Sequence, residues 1–297
     1  MGQPQFDNST PLASELADLT KRRSALHTVE VTPPPKTRVF TVANQKGGVG
    51  KTTTAVNIAA ALARFGMKVL VIDLDPQGNA STALGINHHG DIPSIYDVVV
   101  GVTPLAEVVQ ASPEHENLLC APSNLDLAGA EIELVSLAAR EYRLKRALET
   151  YLGSTAGKGI DYVFIDCPPS LGLLTINAFA AATEVLIPIQ CEYYALEGVS
   201  QLVSNINLVR GHLNPELVLS TILLTMFDTR TNLAHQVVND VRTHFPSETL
   251  NAVIPRSVRV SEAPSYGQTV VEYDPGSPGS VSYQEAAVEI AQRGTRR

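Results

Sequence analysis

Eight consecutive residues, Lys46-Gly47-Gly48-Val49-Gly50-Lys51-Thr52-Thr53, carry the clearest chemistry in the chain. Glycines at this density let successive backbone N–H groups turn inward onto an anion, and a helix that opens directly after them adds the positive end of its dipole. Lys51 and Thr52, near the end of the run, are the residue types that meet the β- and γ-phosphates of a nucleoside triphosphate and its Mg²⁺ ion. Nucleotide binding through Gly47, Gly48, Val49, Gly50, Lys51, Thr52 and Thr53 is therefore expected, with Thr52 as a metal ligand. Lys46 departs from an ordinary loop of this kind. From spacing alone it also reads as a solvated lysine beside an anionic ligand.

Such a loop needs a strand before it and a helix after it. Residues 38–43 form a β-rich run and residues 53–65 an alanine-rich helix. Further apolar runs at 68–73, 162–166, 184–189, 217–226 and 252–254 alternate with helical stretches near 130–151, 171–182, 196–212, 233–244 and 283–292. Strands without a polar alternate face belong to a sheet covered on both sides. The expected fold is α/β, a doubly wound, mostly parallel sheet with helices on both faces.

Residues 1–37 read differently: they are polar, poor in large apolar side chains, and end in a triple proline, Pro33-Pro34-Pro35. They are expected to be a flexible tail with one transient helix near 11–25, where Leu12, Leu16 and Leu19 have helical spacing; a partner-docking helix is the sharper alternative. Residues 38–297 are expected to be a single P-loop domain. The 297-residue chain is 44% hydrophobic and 18% charged, with no apolar run near the length of a membrane span. Its N-terminus lacks the pattern of a secretory signal, so cytoplasmic placement is expected. Cys120, Cys167 and Cys191 lie far apart without a CxxC pair, which argues against a disulfide framework or an intrinsic metal cluster. A net charge of −8 excludes a broadly basic surface but leaves room for a local cationic patch.

KGGVGKTT with its leading lysine resembles the deviant Walker A motif of the ParA/MinD/Soj ATPases. Asp73-Leu74-Asp75-Pro76-Gln77-Gly78-Asn79 and Asp166-Cys167-Pro168-Pro169-Ser170 match further motifs in the same order. The run from Gln190 to Gly198 and the run from Ile254 to Ser265 resemble the chromosomal ParA (Soj) branch. The resemblance runs from about Arg38 to the C-terminus. It implies a Mg²⁺-dependent ATPase of weak intrinsic activity that partitions chromosomes. In that family ATP drives a face-to-face homodimer in which the lysine matching Lys46 reaches the partner's nucleotide and Gly47 must stay small. Lys46, Lys51 and Asp75 are the implied catalytic residues, Asp75 orienting the attacking water; its local sequence also suits a turn. Asp166 is the implied Walker B carboxylate, acting on Mg²⁺ through water, and also suits a cap. The base is implied to meet backbone near Thr225-Met226-Phe227 and the Pro255-Arg256 segment, with Ser257 standing where relatives usually carry asparagine. Arg230 and Arg259 match the arginines that bind double-stranded DNA without sequence preference. Each also has an acid beside it, Asp228 or Glu262, as a plain ion-pair partner. A ParB-type protein is the implied stimulating partner, a polar scaffold protein a further one, and the nucleoid, with or without a cell pole, the implied location. The alternative is a MinD-like membrane-surface positioning ATPase. The C-terminal stretch from Tyr283 has a small apolar face and two glutamates, so no membrane association is expected.

Overall fold

The computed structural model describes residues 11–193 and 195–294. Tyr194, within one of the motif runs above, residues 1–10 of the expected tail, and residues 295–297 lie outside the described residues. Eight strands form one sheet: β1 (Arg38–Val42), β2 (Val69–Asp73), β3 (Gln110–Ala111), β4 (Leu118–Ala121), β5 (Tyr162–Asp166), β6 (Glu184–Gln190), β7 (Val218–Phe227) and β8 (Thr249–Pro255). Their order is β3-β4-β2-β5-β1-β6-β7-β8, parallel throughout except that β3 runs antiparallel to β4. Alternate residues feed two cores. Val39, Leu70 and Ile72 join one, while Phe40, Val42, Val69 and Val71 join the other. A strand that is buried on both faces needs no polar alternation, which is why these segments read as continuous apolar runs.

The expected helix near 130–151 is two helices, Leu127–Ser136 and Arg143–Leu152, with a 3₁₀ turn at Arg140–Tyr142 between them. Ala139 breaks the run at φ +50. Buried Asn177 fixes the corner: its Oδ1 accepts from Leu144 N, and its Nδ2 donates to the carbonyls of Arg140 and Leu173. The C-terminal helix Pro278–Gly294 buries Tyr283, Ala286, Ala287, Ile290 and Ala291 in the core shared with the helix Lys51–Arg64. Its apolar face is thus occupied, which leaves little for a lipid surface. No described helix is long and apolar enough to cross a membrane.

The segment expected as a tail carries a full helix, Pro11–Leu26, seated on the C-terminal helix. Arg22 makes a bidentate pair with Glu285 at 2.8 and 2.6 Å and donates to Ser282 Oγ at 2.9 Å. Leu19, Leu26, Val29 and Val31 close over Val281 and Val288. A few leucines suffice here because the receiving surface is already built.

On the far flank, Glu114 accepts from the backbone N–H of Thr269 and, at 2.9 Å, from its hydroxyl. Burial pushes this carboxyl up to about 7 despite both donors. A carboxyl with a raised folded pKa holds its proton more tightly in the fold. Its favourable contribution is complete below the ordinary value of 4.5 and is lost as pH rises through about 7. Glu114→Gln should therefore raise the melting temperature at pH 8, by about 1–3 kcal/mol of stability or roughly 2–4 °C per kcal/mol, and change little at pH 5. Thermal melts at the two pH values check this, and equal melting temperatures for variant and wild type at pH 8 would refute it.

Candidate functional site

β1, β5 and β2 end side by side, with Val42 opposite Asp166 and Asp166 opposite Asp73 in register. The chain leaves β1, turns through residues 43–50, and enters the helix Lys51–Arg64 at Gly50. Gly48 (φ +74) and Gly50 (φ +88) take the left-handed conformation that lets the loop curl, which other residues adopt only with strain. Thr225 Oγ1, from β7, donates to Val49 O at 2.9 Å and braces the loop from the side.

Loop and strand ends enclose a cavity of about 390 Å³ lined by Gly47, Gly48, Gly50, Lys51, Thr52, Thr53 and Asp75 among others. Lys51 is buried, and its ammonium donates to Lys46 O at 3.3 Å. Burial pulls its pKa below the ordinary value, while the charges of Asp166 and Asp75 oppose that fall. A cation held in this way has lost solvent without gaining a carboxylate in contact, so the site favours an incoming anion.

Asp73 and Asp166 are fully buried on adjacent strands. Asp73 Oδ2 accepts from Ser81 N at 2.8 Å and Ser81 Oγ at 2.6 Å, yet burial still raises its pKa to about 6. Among the described residues, neither oxygen of Asp166 has a hydrogen-bond partner. Burial and then the charge of Asp73 push it well above the carboxylate range, with the nearby Thr52 hydroxyl and Lys51 pulling the other way. Two carboxylates this close cannot both ionise without a cation. The orphaned oxygens of Asp166 beside the Thr52 hydroxyl form an oxygen donor set that suits Mg²⁺ with part of its water shell retained. Asp73 was not singled out from sequence; an aspartate ending a buried apolar strand, as Asp166 does, was the available signal.

Asp75 does form the turn that its sequence suggests: its Oδ1 accepts from Gln77 N at 3.0 Å and its carbonyl from Gly78 N at 3.0 Å. Its Oδ2 makes no hydrogen bond among the described residues, and the side chain lines the cavity. Lys46 does not line it. The Lys46 side chain turns away to Glu192, with Nζ to Oε2 at 2.6 Å and both side chains about half exposed. Gly47 lacks the left-handed φ of its neighbours, and a Cβ placed on it would meet nothing within 4 Å.

The segments expected around the base separate. Met226 lines the cavity, at a strained φ of +53, and so does Pro264. Pro255 and Ser257 do not; Ser257 precedes the short helix Val258–Glu262 without capping it through its side chain. Arg230 and Arg259 lie outside the cavity on exposed ground, and both have the acidic partners foreseen for them. Arg230 grips Asp228 through two bonds of 2.9 and 2.7 Å and holds that carboxyl well below the usual range. Arg259 pairs with Glu262 at 3.2 Å and Asp274 at 3.5 Å. Arg256, on the segment expected near the base, is exposed; its N–H donates to Phe227 O at 3.0 Å, and its side chain has no hydrogen bond or ion pair among the described residues.

Comparison with known proteins gives a consistent neighbourhood. A family described as an AAA domain matches residues 37–219, which leaves the N-terminal helix outside. The sporulation initiation inhibitor protein Soj of Bacillus subtilis (strain 168) is 50% identical over 257 residues, covering 86% of this chain and 99% of that protein. The chromosome partitioning protein ParA of Caulobacter vibrioides is 50% identical over 256 residues, 86% of this chain and 94% of its own. Among solved structures, a Mycobacterium smegmatis protein named cobyrinic acid a,c-diamide synthase, with bound ADP and magnesium, is 40% identical with a TM-score of 0.72, over 85% of this chain and 93% of that one.

Proposed function

The chain belongs to the Soj/ParA family of chromosome-partitioning ATPases, and on that premise we propose that ATP closes two copies into a DNA-binding dimer that a ParB-type partner dissolves by stimulating hydrolysis. The chain is an ATPase that works with ATP and Mg²⁺. The loop amides and Lys51 hold the triphosphate, Thr52 and Asp166 hold the metal, and bound Mg²⁺ supplies charge neutralisation on the phosphate oxygens. Asp75 orients the attacking water through its remaining oxygen, since phosphoryl transfer depends on positioning more than on covalent chemistry.

The observation that carries the dimer is Lys46. Its backbone belongs to the phosphate loop, whereas its charge lies outside its own cavity, where a second copy's nucleotide can receive it. Two triphosphates facing each other repel, and a lysine inserted from each side offsets that repulsion. Open space at Gly47 supports the same reading, because nothing inside one subunit requires a glycine there. Exposed Leu125, Ile132, Val135 and Leu171, on the segments that follow β4 and β5, supply apolar rim for such a seam.

Arg230 and Arg259, joined by Arg256, are then the DNA contacts. Both arginines are themselves exposed, so each can exchange its acidic partner for a phosphate, Arg259 more readily than Arg230 with its bidentate hold on Asp228. A dimer doubles the contacts, and an acidic chain gains useful affinity only in that form. The nucleoid is the proposed location, with a polar scaffold as a further partner.

Sedimentation with double-stranded DNA of unrelated sequence tests the proposal. DNA should be retained with ATP and Mg²⁺ and released with ADP or without nucleotide. Asp75→Ala should prolong retention, because the dimer then outlives its ordinary hydrolysis. Retention independent of nucleotide would refute the switch, and no retention at all would point to a nucleotide-driven activity of another kind, such as the amide synthesis named for the Mycobacterium smegmatis relative.

A further inference from the structure

The N-terminal helix is held to the body through Arg22, and that anchor fixes where its neighbour points. Successive residues of a helix are turned by about 100°. Arg23 therefore leaves the Arg22–Glu285 contact sideways and reaches the chain at Gly276. A Cβ on that glycine would stand 3.3 Å from the Arg23 guanidinium. One turn later on the same flank comes His27. Arg64, at the end of the helix Lys51–Arg64, closes the group. The three side chains line a cavity of about 210 Å³ with Pro275 and Phe65 on its wall and, among the described residues, no carboxylate in its lining. Arg23 makes no side-chain hydrogen bond or ion pair among the described residues, whereas Arg64 spends one nitrogen on Val271 O.

Pro275 follows Asp274, and Asp274 is the residue that Arg259 grips. Arg259 and Arg23 thus flank the same three-residue segment, 274–276, whose Cα path is at most about 7.6 Å. The acids nearby are engaged or set back: Glu285 by Arg22, Glu262 and Asp274 by Arg259, and Glu114 by Thr269, with Arg64 and Glu272 both felt at its carboxyl.

We propose that Arg23, His27 and Arg64 extend the DNA-binding face of the ATP-bound dimer, taking backbone phosphates adjacent to those at Arg259. The inference rests on the DNA-binding reading above and goes beyond it in giving the N-terminal helix, which the AAA match does not include, a share of the contact. Backbone phosphates suit the site because two guanidinium groups and an imidazole converge on it.

The test uses the full chain with ATP and Mg²⁺, comparing Arg23→Glu and Arg23→Gln with wild type across a salt series. Each lost phosphate contact lowers the slope of log affinity against log salt by about 0.9, so a dimer lacking two should lose roughly two units of slope. Arg23→Glu should weaken DNA binding at least about tenfold, and Arg23→Gln less, while ATP affinity and dimerisation stay at wild-type values. Wild-type DNA affinity and salt slope in Arg23→Glu, alongside lost binding in Arg259→Ala, would overturn this inference and leave the function standing. A wild-type protein that fails to retain DNA would overturn the function itself. Sedimentation of wild type but not Arg23→Glu with anionic lipid vesicles, at unchanged DNA affinity, would assign the patch to a membrane and likewise refute the proposal.

Discussion

Lys51→Ala should abolish ATP turnover and lower ATP affinity by about 100- to 1,000-fold, a loss of roughly 3–4 kcal/mol. The magnitude follows from what surrounds the ammonium. Asp75 lines the cavity, and Asp73 and Asp166 are fully buried at the adjacent strand ends, with the charges of Asp166 and Asp75 felt at the ammonium. Lys51 is the cation that makes this acidic ground acceptable to a triphosphate. Removing it leaves the loop amides to face phosphate with carboxylates behind them, and a buried charge stripped of its counterpart costs more than an exposed one. The backbone of the loop does not depend on Lys51: Gly48 and Gly50 set its curl, and Thr225 holds Val49. Melting of the nucleotide-free variant should accordingly stay close to wild type, which separates lost binding from lost fold. Calorimetric titration with ATP and Mg²⁺ reads the affinity directly. A variant that binds within about threefold of wild type would remove Lys51 from the site.

How far the sequence carried this reading depends on whether the governing interaction is local. The phosphate loop is local: glycine conformations, a following helix and one lysine define it, and residues 46–53 lie where their spacing places them. The buried parallel strands were legible for a related reason, since burial on both faces writes itself as an unbroken apolar run. Short β3, at the sheet edge, and β4, beside it, were not, because two and four residues leave no period to read. The corner at Ala139 was hidden for another reason. Its cause is Asn177, almost forty positions along the chain, whose amide bonds reward a break that local helix propensity disfavours.

Charge partners were legible only in outline. Asp228 and Glu262 lie within three residues of their arginines and could be foreseen, whereas Asp274 and the pairing of Lys46 with Glu192 are tertiary. The docking of residues 11–26 was the largest departure from expectation. A segment with few apolar residues reads as a tail when only its own composition is counted; here Val281, Val288 and Glu285 of the opposite terminus supply the surface and the counter-charge.

Gly47→Val should leave ATP binding within a few-fold of wild type and yet eliminate the ATP-dependent dimer. Within one subunit the substitution has room, because a Cβ at this position meets nothing within 4 Å and the backbone is outside the left-handed region. The monomer should therefore melt within about 0.5 kcal/mol of wild type, as an uncrowded surface substitution does. The same change at Gly48 or Gly50 would behave differently. There φ is +74 or +88, and valine would uncurl the loop and take nucleotide binding with it. In a face-to-face dimer, two-fold symmetry counts every intrusion twice. If each valine overpacks the seam by about 1–3 kcal/mol, the pair costs about 2–6 kcal/mol, or roughly 30- to 20,000-fold in the dimer dissociation constant. Analytical ultracentrifugation with ATP and Mg²⁺, in the Asp75→Ala background to prevent turnover, separates the outcomes. Dimers in Asp75→Ala and monomers in the double variant, at similar nucleotide occupancy, place Gly47 at the seam. Equal dimerisation in both would put the interface elsewhere and remove the reason for Lys46 to stand outside its own cavity.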